Sequence, residues 1–164
     1  MLLHILRHAE AEDSAPSGDD ADRRLTEAGQ KRIRLVARGI ARALEPRYGE
    51  ILVSPLVRSR QTAQAVAEAC GFSRDLRETE ALLPHAPVET LLDELARLEC
   101  ETALVVGHEP HMGRLFGHLL TGGNRLDVPM KKASLAAFET DRDPSVTPWD
   151  LKLYMPARLL ERLA

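Results

Sequence analysis

Two histidines each stand where an apolar run stops. The first run is Leu2-Leu3-His4-Ile5-Leu6, followed by Arg7-His8-Ala9. The second is Ala103-Leu104-Val105-Val106, followed by Gly107-His108. A third, Ile51-Leu52-Val53, leads through Ser54-Pro55-Leu56-Val57 to Arg58. Short apolar runs bounded in this way read as buried strands. Open parallel sheets bind ligands outside the carboxyl ends of their strands. Two imidazoles and two arginines gathered at such an edge make a cationic pocket with a nucleophile in it, which is what phosphoryl transfer needs.

Each residue also has a plainer reading. His8 can be a polar strand terminus; it becomes a nucleophile toward phosphorus if its other ring nitrogen is held by an acceptor. Arg58 falls in the first turn of an expected helix, where a cation opposes the helix dipole. That placement makes sense if both the arginine and the free N–H groups of the helix end face an anion. Arg60 reads as a surface residue. His108 follows Gly107, whose small size permits close backbone approach. A metal reading fails on spacing: His4 and His8 share a strand face but lie about 13 Å apart in rise. His108 and His111 have no cluster of carboxylates beside them, so no metal and no cofactor is expected.

The elements that must position these groups alternate strand and helix, which favours an α/β fold with a mostly parallel sheet. Strands are expected at Leu2–Leu6, Ile51–Val53, Ala103–Val106, Ser134–Glu139 and Trp149–Tyr154. Glu12 to Asp22 is polar and reads as a flexible loop. Thr26 can cap a helix whose buried stripe is Ile33, Val36, Ile40 and Leu44, with Gly39 weakening the pattern. Ser54-Pro55 reads as an N-cap and first-turn proline for a helix running to about Cys70, with Gly71 after its end. Further helices are expected around Leu91–Leu98, at His111–Leu120 before Thr121-Gly122-Gly123, and from Pro156 onward.

Composition bounds the rest. The chain has 164 residues, one domain spanning 1–164, and a formal charge of −3. It is long enough to bury roughly 68–70% of its unfolded surface without a disulfide or metal. The charge gives no global pull toward nucleic acid or anionic membrane, so any cationic site must be local. Cys70 and Cys100 read as free thiols of a reducing compartment. No apolar run approaches the roughly 20 residues of a membrane span, and no signal-peptide core is evident, so a cytoplasmic location is expected.

Taken together, these residues resemble the histidine phosphatase superfamily and, within it, the small SixA-type phosphohistidine phosphatases. Arg7-His8 is similar to the hallmark Arg-His-Gly. Arg23-Arg24-Leu25-Thr26-Glu27-Ala28-Gly29 is similar to an Arg-x-Leu-Thr-x-x-Gly segment, and Ser54 to Thr62 to a Ser-Pro-x-x-Arg-x-x-Gln-Thr motif. Val105-Val106-Gly107-His108 is similar to the segment of the second histidine. The resemblance runs from Met1 to about Tyr154. It implies a three-layer, phosphoglycerate mutase-like fold with helices on both faces of the sheet. It implies that His8 is phosphorylated and that Arg7, Arg23, Arg58 and His108 bind the phosphoryl group.

Ala9 departs from the hallmark glycine, so its φ must be negative or its backbone strained. Larger members of the superfamily carry a glutamate proton donor, which has no evident counterpart here; Glu80, His85 and Glu109 are the candidates. A missing acid penalises phosphate esters more than phosphohistidine, whose imidazole leaving group can be protonated before the P–N bond breaks. The expected activity is therefore a metal-independent phosphatase acting on a phosphohistidine protein, for example a phosphotransfer domain. The alternatives are a small-molecule phosphomonoesterase using Glu80 or Glu109 as acid, and a non-catalytic phosphate-recognition module.

Overall fold

Six strands form one sheet in the order β3-β2-β4-β1-β5-β6 in a computed structural model, which describes residues 1–123 and 126–164. The strands are β1 (Leu2–Arg7), β2 (Glu50–Val53), β3 (Arg77–Glu78), β4 (Thr102–Gly107), β5 (Leu135–Glu139) and β6 (Asp150–Met155). The helices are α1 (Glu27–Leu44), α2 (Val57–Ala69), α3 (Val88–Leu95), α4 (His111–Thr121) and α5 (Ala157–Arg162).

β1, β2, β3 and β4 run parallel; at one edge β5 pairs antiparallel with β1, and β6 antiparallel with β5. β1 and β4 are central and covered on both faces, which is why they read as continuous apolar runs. Leu6, Ile51, Val53, Leu104 and Val106 pack under α1, α2 and α5. Leu3, Ile5, Leu52, Ala103 and Val105 pack under α3 and α4. The chain is thus a three-layer α/β fold, as its strand–helix alternation implies.

Local chemistry sets the helix ends. Thr26 Oγ accepts from the Gly29 N–H at 3.0 Å and caps α1, whose buried stripe is Ile33, Val36 and Ile40. Gly39, which weakens the helix pattern in sequence, is where α5 crosses α1: a Cβ there would lie 2.0 Å from the Leu160 carbonyl oxygen. The start of α2 differs from the expected cap. The helix begins at Val57, so apolar Leu56 precedes it without a side-chain cap bond, and Ser54 lies two residues earlier, where its hydroxyl accepts from Leu56 N at 3.5 Å. The two-residue β3 is exposed on both faces and carries no apolar signal. The segment 12–22 is more structured than its composition implies: a 3₁₀ turn spans Asp20–Asp22, and Ala11 bridges Leu25.

Cys70 and Cys100 are free and half-buried. Among the described residues, no helix is long and apolar enough to cross a membrane.

Candidate active site

The parallel register brings the strand ends together. Arg7 of β1 lies opposite Gly107 of β4, so His8 and His108 leave the sheet side by side. Their ring centroids are 5.2 Å apart. Val53 of β2 lies opposite Val106, which puts Ser54 beside the pair. The ladder continues one step past the strands, with His8 N donating to the Gly107 carbonyl and Ser54 N to that of Val106.

His8 is buried, and its Nδ1 lies 2.6 Å from the Ala9 carbonyl oxygen. A carbonyl only accepts, so Nδ1 carries the proton of the neutral ring and Nε2 presents a bare lone pair. Burial drives the His8 pKa down to about 4, with Arg58 and Arg7 pushing the same way against the Ala9 hydrogen bond. His108 is driven to about 3, by burial first and then by the His8 and Arg58 charges. Both rings are therefore neutral at pH 7. His108 Nε2 lies 2.6 Å from Ser54 Oγ, and Ser59 Oγ is 3.3 Å from the same nitrogen. These hydroxyls fix the ring; in sequence Ser54 reads as a helix cap and Ser59 carries no signal.

α2 ties its first turn to the chain segment that carries His8. Thr62 Oγ donates to the Arg58 carbonyl at 2.7 Å and accepts from the Ala9 N–H at 3.1 Å. Ala9 is buried and is not among the residues with positive φ, so the alanine is accommodated without left-handed strain. Gln61 Oε1 accepts from Leu25 N at 2.7 Å, which anchors the segment carrying Arg23. Arg58 is buried and Arg60 is exposed, with Arg60 paired to Glu78 at 3.2 Å. The helix thus turns Arg58, and not Arg60, toward the strand ends.

A residue absent from the sequence reading joins two of the arginines. Asp20 Oδ2 is 2.8 Å from Arg58 Nη2, and Oδ1 is 2.7 Å from Arg23 Nη1. Hydrogen bonds from Arg23 and then Arg58 hold the Asp20 carboxyl below its ordinary range. Arg23 Nε also donates to the Glu12 carbonyl at 2.6 Å. Arg7 Nη1 donates to the Met130 carbonyl at 2.6 Å. Among the described residues the Nε groups of Arg7 and Arg58 are buried without a hydrogen-bond partner, as donors awaiting an anion would be.

The three candidate proton donors lie differently. Glu80 is exposed at the head of a 3₁₀ turn, Glu80–Leu82, whose other two residues are buried, and His85 is exposed in the loop before α3. Glu109 Oε1 accepts from Met130 N at 2.8 Å, and its charge acts on Arg7. No hydrogen bond joins any of the three to His8 or His108 among the described residues. His4 lies apart from this group, with Nδ1 2.7 Å from the Tyr48 hydroxyl. His111 is buried at the start of α4.

Residues 3–83, which include His8, Arg23 and Arg58, match the histidine phosphatase superfamily (branch 1). An uncharacterized protein of Picosynechococcus sp. is 33% identical over 138 residues, 82% of this chain and 82% of its own length. This chain belongs to the histidine phosphatase superfamily. Solved structures place it with the SixA-type members. The protein histidine phosphatase SixA complexed with tungstate superposes with a TM-score of 0.86 at 23% identity, covering 98% of this chain and 99% of that one. A candidate phosphohistidine phosphatase SixA from Agrobacterium tumefaciens gives 0.77 at 28% identity, covering 94% and 97%. The fold is shared more widely: a mycobacterial glucosyl-3-phosphoglycerate phosphatase gives 0.67 at 19% identity, covering 93% and 97%.

Proposed function

We propose that this chain is a cytoplasmic, metal-independent phosphatase that removes phosphate from phosphohistidine proteins, phosphotransfer domains for example, through a phosphorylated His8. One observation carries the reading. The His8 ring is neutral, its Nδ1 is tied to the Ala9 carbonyl, and it stands 5.2 Å from His108 beside a buried guanidinium.

In the first step the His8 Nε2 lone pair forms a bond to phosphorus as the bond to the substrate imidazole breaks. The departing imidazole has already been protonated by solvent and leaves neutral. Arg7, Arg23, Arg58 and His108 hold the equatorial oxygens and stabilise the charge spread over them. In the second step water attacks phospho-His8, phosphate departs, and the imidazole regains its neutral form. Asp20 must yield the Arg58 fork before the phosphoryl group can use it.

The comparison with SixA-type proteins supports the substrate class. The glucosyl-3-phosphoglycerate phosphatase neighbour favours the phosphomonoesterase alternative. A side-by-side assay decides between them: a phosphohistidine peptide, an aryl phosphate and a sugar phosphate, each with the wild type and with His8→Ala. Preference for phosphohistidine, lost in the variant, is the expected outcome. Equal or faster turnover of the sugar phosphate would make the alternative the better reading, and binding without turnover would leave a recognition module.

A further inference from the structure

A cavity of about 610 Å³ opens beside Arg7, with Arg32, Lys131, Lys132, Tyr154 and Arg158 among its eight lining residues. Five of the eight are cations, in a chain whose net charge is −3. Arg32 is paired with Glu161 at 2.7 Å. No carboxylate pairs with Lys131, Lys132 or Arg158 among the described residues, and all three are exposed. Three like charges gathered without ion-pair partners of their own repel one another, so stability alone gives little reason for placing them together.

The lysines are held in place by the nucleophile's own strand end. Ala133 N donates to the carbonyls of Arg7 at 3.1 Å and His8 at 3.2 Å. Ser134 Oγ donates to the Lys131 carbonyl at 2.6 Å, and Tyr154 contacts both sides of the turn, through Lys131 N and Ser134 Oγ. Ala133 sits at φ 55, a conformation disfavoured for L-alanine. A strained turn bonded to the catalytic strand end, displaying two unpaired cations, is a feature from which function can be inferred.

We propose that this cavity is a docking subsite for an acidic segment of the protein that carries the phosphohistidine, engaged while the phosphoryl group lies at His8. The inference rests on the phosphohistidine reading and narrows it to substrates with carboxylates beside the phosphorylated residue. Arg7 joins the two sites, lining the cavity at one end and following β1 to His8 at the other. The cavity is larger than one phosphoryl group needs, and its exposed lysines and arginine suit several carboxylates on a flexible or convex surface.

The test uses two synthetic phosphohistidine peptides at pH 8, one flanked by glutamates and one by glutamines, with phosphoramidate as a small substrate. Wild type is expected to favour the glutamate peptide by about tenfold in kcat/KM, as two or three partly screened ion pairs would give. The preference should reside in KM and shrink with added salt. Lys131→Gln with Arg158→Gln should abolish it while phosphoramidate turnover stays unchanged. Both side chains are exposed, so the fold is expected to tolerate the changes; circular dichroism checks this, and single variants serve if the pair fails. Equal turnover of the two peptides by wild type would overturn the subsite and leave the phosphohistidine reading intact. Turnover of an aryl phosphate with neither peptide accepted would overturn both.

Discussion

Asp20 occupies both terminal nitrogens of Arg58: its carboxylate takes Nη2 at 2.8 Å and its backbone carbonyl takes Nη1 at 2.7 Å. An internal anion therefore sits on the fork that a phosphoryl group is expected to use. Removing its charge should ease the exchange. Asp20→Asn is expected to lower the inhibition constants of phosphate and vanadate by up to about fivefold, the range of a partly exposed ion pair. Weaker inhibition in this variant would mean that the carboxylate orients Arg58 for the phosphoryl group and does not compete with it.

The two arginines of α2's first turn should separate cleanly. Arg58→Lys keeps the charge but loses the planar fork, and is expected to cost about 3–4 kcal/mol in kcat/KM, as lost oxyanion donors do. Arg60→Lys should be nearly silent, because Arg60 is exposed and pairs with Glu78 at the surface. Steady-state kinetics on an aryl phosphate give both numbers. Equal effects would show that α2 presents the wrong residue to the site.

The strand ends were legible in sequence because β1 and β4 are buried on both faces, which leaves long apolar runs with a polar residue at each stop. The spacing of Arg58 from that edge was legible too, since a helix start follows β2. Asp20 was not. It is one of several aspartates in a segment without periodicity, and its role depends on a contact 38 residues away. Ser54 was misread because a hydroxyl before a helix suits a cap and a histidine equally, and only the neighbouring strand decides. The Lys131–Ala133 turn carried no signal, since its partners are carbonyl groups of β1's end.

Acid should weaken the fold through its buried imidazoles. Burial lowers His4 and His8 to about 4, His108 to about 3 and His111 to about 4, from 6.5. The unfolded chain then binds these protons first. Their contribution is full well above pH 6.5 and erodes as pH falls through 6.5 toward 4. Urea unfolding should show midpoints that are level from pH 8 to 7 and fall steeply below 6.5. NMR titration of the imidazole protons reports the same shifts directly, and midpoints near 6.5 for His8 and His108 would contradict the neutral, desolvated pair.

Substrate preference should follow the leaving group. Without a fixed general acid, alkyl phosphates should lag phosphohistidine and aryl phosphates by roughly the 10²–10⁴-fold that such an acid supplies. Glu80→Gln, His85→Gln and Glu109→Gln should each change phosphohistidine turnover by less than about tenfold, below the effect of an obligatory donor. A sugar phosphate that matches phosphohistidine and loses that activity in one of these variants would identify the donor. Turnover should also survive exhaustive chelation, and vanadate should inhibit as a five-coordinate analogue; loss with EDTA restored by zinc or manganese would bring a metal into the mechanism.

The central claim is the bond between His8 and phosphorus. Rapid quenching of the protein with labelled phosphohistidine substrate should trap one phosphate that is stable in base and released by acid. Peptide mapping under alkaline conditions should locate it on His8, and His8→Ala should lose trapping and turnover together. Label on another residue, or full activity in His8→Ala, would contradict the account.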